Sequence, residues 1–211
     1  ELVEFLETLD LQEWVTAQTK VSIQCMREGD HLFTSQDVTQ TVSGSLKKKN
    51  VIIDYKHSDI ILFIFISDAT CFFGIDFSGK DLSKREYRIF INQRALKGPL
   101  AYSLFLLGNV NVNETVIDPF MKSGEIIIEG GLRLLEMSPW HYQKEDFAFL
   151  TIPKFSSFGF EAFFLAIDKK IKKKKTKLYG YDSLMRNVVA ANKNGKISGI
   201  HKFVSLSRID I

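Results

Sequence analysis

Three aspartates each follow a short apolar run of the kind that forms a buried strand: Asp118, Asp182 and Asp210. Open α/β sheets bind ligands outside the carboxyl ends of their strands, where such acids would lie. Asp118 is followed by a turn of proline and small residues that reaches Glu125, and then by an apolar segment long enough for a helix. The free N–H groups and the dipole at a helix N-terminus favour a carboxylate or a phosphate. We therefore predict an anion-binding turn beside Asp118, although a strand, turn and helix with one acid is also typical of plain α/β core.

The second acid belongs to the run Lys177–Asp182, which we interpret as the second strand of the sheet. In nucleotide-binding α/β folds an acid at this place bonds the ribose hydroxyls. Asp182 lies much further from Asp118 than the usual spacing of about 20 residues, and an insertion over residues 136–177 accounts for the difference. The third acid, Asp210, follows a predicted strand over Lys202–Leu206.

The hydrophobic pattern predicts the elements that position these acids. A helix is expected near Leu2–Leu9, and another from Gln36 to Lys48 with Ser35 as its N-cap. A further helix begins at Pro99 and ends at Gly108, and one runs from Ser183 to about Asn194. Strands are expected at Val21–Cys25, Val51–Asp54, Ile60–Ser67, Cys71–Ile75 and Val116–Asp118.

The composition is that of an ordinary globular protein of one large or two small domains, with 211 residues, 45% apolar and 25% charged. A net charge of +3 permits a nucleic-acid partner without requiring one. Cys25 and Cys71 have no metal-ligand spacing, so we expect no metal and buried thiols in a reducing compartment. The longest apolar run, Ile60–Ile66, is too short to cross a bilayer. We predict a cytoplasmic protein without a membrane segment.

The insertion contains many aromatic residues and a run of lysines. Packing in a core is the favoured interpretation of the aromatic residues, and stacking on unpaired bases is the alternative. The lysine run is either a solvated face or a set of phosphate contacts. The aromatic residues are Trp140, Tyr142, Phe147, Phe149, Phe155, Phe158, Phe160, Phe163 and Phe164, and the lysines include Lys172, Lys173, Lys174 and Lys175.

The run Asp118-Pro119-x-x-x-Ser123-Gly124, followed by Ile126-Ile127-Ile128-Glu129, resembles the first S-adenosylmethionine motif of RNA guanine-N2 methyltransferases that carry a THUMP domain. Lys122 and Glu125 stand where that family usually has glycine and threonine. Asp182 with Asn192-x-Asn194 resembles the family's second motif. The resemblance implies that S-adenosylmethionine is the cofactor. It assigns the ribose to Asp182, the adenine to Asp210 and the methionine end to Pro99, Leu100, Asp118, Pro119, Phe120, Ser123, Gly124 and Glu125.

The order of elements before residue 78, with Arg27-x-Gly29-x-His31-x-Phe33, resembles a THUMP domain, an RNA-binding module. The resemblance implies RNA contacts at Arg27 and His31, and a chain that begins downstream of the natural start. A generic α+β domain is the alternative. A connector follows, in which Arg85 and Arg88 either contact phosphate or form a solvated linker paired with Glu86 and Asp81.

The expected fold class is therefore α/β: a partial THUMP α+β domain at residues 1–78, a linker at 79–98 and the first half of a Rossmann-like methyltransferase domain at 99–211. The resemblance implies methylation of a guanine exocyclic amine in tRNA, or in rRNA. The family's Asn/Asp-Pro-Pro-Tyr/Phe motif, which holds the amine, is not in the sequence, so no catalytic residue is assigned and the chain alone is expected to be inactive. The alternative is a non-catalytic RNA-binding protein with a degenerate cofactor pocket. A DNA adenine methyltransferase is disfavoured by the THUMP-like half.

Overall fold

The computed structural model describes residues 2–210, and the chain folds into two compact units. The first unit contains the chain up to Lys80 and a later segment, Glu145–Phe160. The second unit contains Asp81–Lys144 and the chain from Glu161 onward. The chain therefore passes from the first unit to the second, returns for one short segment, and then completes the second unit.

The first unit is built on a four-stranded sheet with two helices, α1 (Leu2–Thr8) and α2 (Ser35–Lys48). Its strands stand in the order β2-β1-β3-β4, with β1 parallel to β2 and β3, and β3 antiparallel to β4. Alternate apolar residues of β3 are buried, as a half-buried strand requires. The strands are β1 (Lys20–Glu28), β2 (Ile52–Ile53), β3 (Ile60–Ser67) and β4 (Thr70–Asp76).

The N-cap of α2 is Thr34, so the prediction of Ser35 was wrong by one residue. The Thr34 hydroxyl accepts from the Asp37 N–H at 3.2 Å, and the Asp37 carboxylate accepts from the Thr34 N–H at 2.7 Å. This reciprocal pair satisfies two backbone donors at the start of the helix. Ser35 is the first helical residue, and its hydroxyl accepts from Arg27 Nε at 3.2 Å.

The returning segment completes the core of the first unit. Ile152 is fully buried in that core, and the Phe149 N–H donates to the Phe77 carbonyl at 2.9 Å. Phe155 packs edge-on against Trp14, with ring centroids 5.9 Å apart. Core packing is thus confirmed for part of the aromatic insertion. Three short 3₁₀ turns carry the segment: Lys144–Asp146, Ala148–Leu150 and Pro153–Phe155.

The second unit has a parallel sheet in the order β5-β6-β7, formed by Val116–Asp118, Leu178–Asp182 and Ser205–Arg208. The third strand begins later than predicted because His201–Phe203 forms a 3₁₀ turn. Its helices are α3 (Gly98–Leu107), α4 (Glu125–Leu134), α5 (Phe160–Asp168) and α6 (Met185–Ile197), so α6 extends beyond the predicted end at Asn194.

Helix α4 is packed on all sides in the second unit. A Cβ on Gly130 would lie 2.1 Å from Phe105 Cζ, so a residue without a side chain is needed where α3 crosses α4. Tyr87, from the connector after Lys80, is also buried in this core. The connector is thus part of a packed unit from at least this residue onward.

The two thiols differ from expectation. Cys25 is partly buried, but Cys71 on β4 is exposed, because β4 is the outer strand of its sheet and Cys71 lies near its start. Partial desolvation raises the pKa of both thiols above the ordinary value. Within residues 2–210, none of the helices is both long and apolar enough to cross a membrane.

Candidate cofactor site and nucleic-acid surface

The structure brings the three predicted acids to one edge of the parallel sheet. Asp118 pairs with Gly180, and Asp182 pairs with Arg208, so β5, β6 and β7 end at the same side. Asp182 is the last residue of β6, and Asp210 stands two residues beyond the end of β7. This is the edge at which open α/β sheets bind ligands.

The turn between β5 and α4 contains two residues with positive φ, Lys122 at 50° and Gly124 at 90°. Lys122 therefore adopts the left-handed conformation for which glycine is better suited. Two hydrogen bonds hold it there: its N–H donates to Asp182 Oδ2 at 3.1 Å, and its Nζ donates to the Arg94 carbonyl at 2.8 Å. The replacement of glycine by lysine has left the glycine-like backbone in place.

Glu125 begins α4 and is almost fully buried. Its Oε1 accepts from Ser123 Oγ at 2.8 Å and faces Arg88 Nε at 3.3 Å. The negative charge of Glu125 is therefore compensated by a cation and a hydroxyl of the same unit. Helix α4 has no side-chain hydrogen bond at its N-cap, Gly124, which leaves the N–H groups of its first turn for other acceptors.

The carboxylate of Asp182 is buried, and protein donors occupy most of its hydrogen-bond acceptor sites. Its Oδ1 accepts from the Leu184 N–H at 2.9 Å and from Asn187 Nδ2 at 3.0 Å, and its Oδ2 accepts from the Lys122 N–H. A carboxylate offers about four acceptor sites. Three are occupied, so Asp182 fixes the turn and retains capacity for about one further donor.

Asp118 is half-buried and has fewer partners. Its Oδ1 accepts from the Phe120 N–H at 3.1 Å. Burial raises the pKa of the Asp118 carboxyl above its ordinary value, the nearby charge of Asp182 adds to the rise, and Phe120 and Lys122 oppose it. The Phe120 side chain is 69% exposed at the same edge. An acid and an exposed aromatic ring thus stand beside the uncapped helix.

Asn194 joins three parts of this site, a role that the sequence did not reveal. Its Nδ2 donates to the carbonyls of Phe90 and Ser123 at 3.0 Å each, and its Oδ1 accepts from the Phe90 N–H at 3.1 Å. Asn92 similarly joins Ser123 and Asn187, at 3.0 and 3.3 Å. The family resemblance did include Asn194 in its second motif, and that was the available signal.

Arg85 and Arg88 are turned into the second unit, and the expectation that they contact RNA phosphate is not supported. Arg85 forms two hydrogen bonds to Glu129, at 2.7 and 3.2 Å, and Arg88 pairs with Glu125. The Tyr87 hydroxyl also donates to Glu129, at 2.8 Å. These acids lie on α4, so the alternative pairing with Glu86 and Asp81 is also wrong. Buried guanidinium groups of this kind have little surface left for a nucleic acid.

The other predicted residues lie as follows. Pro99 and Leu100 are in the first turn of α3, where the Leu100 side chain is exposed. Lys172 pairs with Glu136, while Lys173, Lys174 and Lys175 are exposed.

Arg27, near the end of β1, and His31, in the loop between β1 and α2, come together around Phe33 in the first unit. The Arg27 guanidinium is 5.5 Å from the centroid of the Phe33 ring, and the His31 ring centroid is 5.0 Å from it. His31 Nε2 is 2.7 Å from the Asp68 carbonyl, and within the described chain its buried Nδ1 has no hydrogen-bond partner. His31 and Phe33 also line a cavity of about 700 Å³. A guanidinium and an imidazole beside an exposed ring suit a phosphate and a stacked base.

Comparison with known proteins also divides the chain into two parts. Residues 1–76 match the THUMP domain, and residues 85–211 match the RMKL-like methyltransferase domain. The tRNA (guanine(6)-N2)-methyltransferase of Methanocaldococcus jannaschii is 29% identical over 198 residues, which cover 89% of this chain and 51% of that protein. The ribosomal RNA large subunit methyltransferase K/L of Aliivibrio salmonicida is 25% identical, over 82% of this chain and 27% of that protein.

Solved structures have the same fold. SMU.472 complexed with SAH matches with a TM-score of 0.84 and 20% identity, over 99% of this chain and 57% of that one. TrmN from Thermus thermophilus matches with a TM-score of 0.67 and 20% identity, over 99% of this chain and 51% of that one. The fold class is thus confirmed: a THUMP domain followed by a Rossmann-like methyltransferase domain.

The chain spans about half the length of the archaeal relative it matches. More than half of the chain matches the methyltransferase model, and most of the remainder matches the THUMP model. The chain therefore belongs to the family of RMKL-like methyltransferase domains, here preceded by a THUMP domain.

Proposed function

We propose that the chain provides the RNA-binding and cofactor-binding parts of an S-adenosylmethionine-dependent RNA methyltransferase that acts on the exocyclic amine of a guanine in tRNA. The name of the Methanocaldococcus jannaschii relative supports the reaction and the RNA, and the bacterial K/L relatives leave rRNA as the second substrate class. A cytoplasmic location is part of the same proposal.

The observation that carries the cofactor assignment is the convergence of Asp118, Asp182 and Asp210 at one sheet edge beside the uncapped N-terminus of α4. The residues present suit a ligand with a carboxylate, an ammonium group and a ribose. The N–H groups of the first turn of α4 would take the carboxylate, and Asp118 the ammonium group. The remaining acceptor of Asp182 would take one ribose hydroxyl.

The remaining predicted contacts are proposed at the borders of this site. Pro119, Phe120, Ser123 and Gly124 form the turn, and Pro99 and Leu100 border the methionine end. Asp210 would accept from the adenine amine. Glu125 is assigned to the site as the first residue of α4. Its side chain holds the turn by accepting a hydrogen bond from Ser123 and pairing with Arg88.

The bound cofactor supplies a methyl group on a sulfonium that is already reactive. The chain's residues would therefore contribute mainly orientation and exclusion of water. The hydrogen bonds from Asn194 and Asn187 fix the turn and Asp182 before any ligand arrives, which lowers the entropy lost on binding.

The alternative was an RNA-binding protein with a degenerate cofactor pocket, consistent with Lys122, Glu125 and the missing Asn/Asp-Pro-Pro-Tyr/Phe motif. Lys122 retains the left-handed backbone that glycine would have, and the charge of Glu125 is paired inside the fold. Neither substitution blocks the turn, so the enzyme is the favoured function. RNA contacts are proposed at Arg27 and His31, where two potential cations flank an aromatic ring.

Calorimetric titration of S-adenosylhomocysteine into the chain tests the cofactor assignment. Asp118→Asn and Asp182→Asn should each weaken binding by about tenfold or more, since each loses a charged hydrogen bond of roughly 1.5–3 kcal/mol. Leu100→Ala is the comparison, because it removes only apolar contact. If wild type does not bind, or if both acidic variants bind as tightly as wild type, the cofactor assignment is wrong.

A further inference from the structure

A set of exposed lysines, here called the basic edge, lies at the amino ends of the parallel strands. It consists of Lys172–Lys175 together with Lys196 and Lys202. Backbone hydrogen bonds fix the lysine segment: the Lys172 N–H donates to the Leu135 carbonyl at 2.8 Å, and the Thr176 N–H donates to the Phe203 carbonyl at 2.9 Å. The segment is therefore held against the C-terminus of α4 and the start of β7.

The charges of the basic edge are mostly uncompensated. Lys172 pairs with Glu136, but the described acids form no salt bridge with Lys173, Lys174, Lys175, Lys196 or Lys202. Like charges on a fixed backbone repel one another, so this surface favours a multivalent anion. Residues 172–175 are non-helical, whereas membrane-surface segments are helices with an apolar face. A nucleic-acid backbone is the better fit.

The basic edge and the candidate cofactor site are at opposite ends of the same elements. Strand β6 has 5 residues, which at roughly 3.3 Å each separate its two ends by about 17 Å. Helix α4 has 10 residues, which at about 1.5 Å each give ~15 Å between the cofactor turn and Leu134. Two independent elements thus place the lysines about 15 Å or more from the acids.

We propose that the basic edge binds phosphates of the RNA substrate at a second point, about 15 Å or more from the base that is modified. This inference rests on the proposed function and adds a property to it: the substrate must be an RNA large enough to reach both ends of the sheet. Phosphate contacts are independent of sequence, so the basic edge contributes affinity and orientation while the choice of base is made at the other edge.

The test compares two charge-reversed variants of the chain. Lys173→Glu with Lys174→Glu changes the basic edge, and Lys47→Glu with Lys48→Glu makes the same charge change on α2 of the first unit. Filter binding of bulk tRNA is measured at several salt concentrations. The basic-edge pair should reduce the slope of log K against log salt by about 1.5 and weaken binding at least tenfold, because two phosphate contacts are lost. The α2 pair should retain most of the affinity.

Two further measurements locate the contact. S-adenosylhomocysteine affinity of the basic-edge pair should stay within twofold of wild type, since the site is at the other end of the sheet. A photoreactive p-benzoylphenylalanine in place of Lys174 should crosslink to nucleotides distinct from those reached by the same group in place of Phe120.

Several results would overturn the inference. They are unchanged tRNA affinity in the basic-edge pair, equal losses in both pairs, crosslinks to the same nucleotides from both positions, or a loss of binding to phosphatidylserine vesicles without a loss of tRNA binding. If wild type binds S-adenosylhomocysteine and tRNA but the basic-edge pair binds tRNA normally, the inference fails while the proposed function stands. If wild type does not bind S-adenosylhomocysteine, the proposed function fails instead.

Discussion

Arg88 Nε lies 3.3 Å from Glu125 Oε1, and their side chains are 16% and 2% exposed. This ion pair connects the segment after Lys80 to the first residue of the helix at the candidate cofactor site. Threonine, the residue that the resembling family has at position 125, would need no such partner. The glutamate and the arginine therefore act as a unit: each is tolerated in this interior because the other is present.

Arg88→Ala should lower the free energy of unfolding by about 3 kcal/mol, because it leaves the buried Glu125 charge without its cation. Combining it with Glu125→Thr should recover most of that loss, since the double variant has no unpaired charge at position 125. Urea unfolding of the single and double variants measures both effects. Equal destabilisation by the single and the double variant would show that the ion pair is not the cause.

Lys122→Gly should be more stable than Lys122→Ala by about 1 kcal/mol, because position 122 has a φ of 50° and glycine adopts that conformation without strain. Both variants lose the bond from Nζ to Arg94, so that bond does not affect the difference. The matched control is Lys193 within α6. There the alanine variant should be more stable than the glycine variant by about 1 kcal/mol. Thermal or urea unfolding of the four variants would reveal whether the order reverses between the two sites.

S-adenosylhomocysteine affinity should fall as the pH is lowered through the raised pKa of Asp118. Burial places this pKa above the ordinary 3.8, so the carboxyl takes up its proton at a higher pH than an exposed aspartate does. The neutral carboxyl then lacks the negative charge that attracts an ammonium group. The same shift means that ionised Asp118 is unfavourable for the fold. Asp118→Asn should thus weaken ligand binding at pH 7 without lowering stability, and should flatten the pH dependence. Calorimetry between about pH 4 and 7, with circular dichroism as a check on folding, measures both.

Thr34→Ala should lower the free energy of unfolding by about 1 kcal/mol, because it removes the hydroxyl that accepts from the Asp37 N–H. Ser35→Ala should have the smaller effect, since Ser35 is already inside α2 and is not its N-cap. Both variants remove a hydroxyl from adjacent positions, and Thr34→Ala removes a methyl group as well. A larger loss at Ser35 in denaturant unfolding would contradict the observed cap.

The sequence was sufficient for features that depend on local pattern. Asp118 and Asp182 each end an apolar run, and this pattern correctly predicted that they would meet at one sheet edge. It was insufficient where a distant partner decides the outcome. By sequence alone, Arg85 and Arg88 resemble solvent-facing charges. Their partners, Glu129 and Glu125, lie about 40 residues later in the chain and pair with them in the interior.

Other errors have local causes. Thr34 and Ser35 are both preferred N-cap residue types, and the reciprocal bond to Asp37 selects Thr34. The polar His201-Lys202 pair begins a 3₁₀ turn where a continuous strand was expected. Helix α6 continues through Lys196, because Gly195 is tolerated inside a helix when packing supports it.

The return of residues 145–160 to the first unit has a consequence for biosynthesis. A ribosome makes the chain from its N-terminus, at roughly 5–20 residues per second in vivo. When Lys80 has emerged, the first unit still lacks Ile152, which is fully buried in its core. Residues 81–144 must be translated before that core can close, a delay of several seconds at that rate. The first unit therefore stays incomplete until the middle of the chain has been made, and the apolar surface of its unfilled core stays exposed during that time.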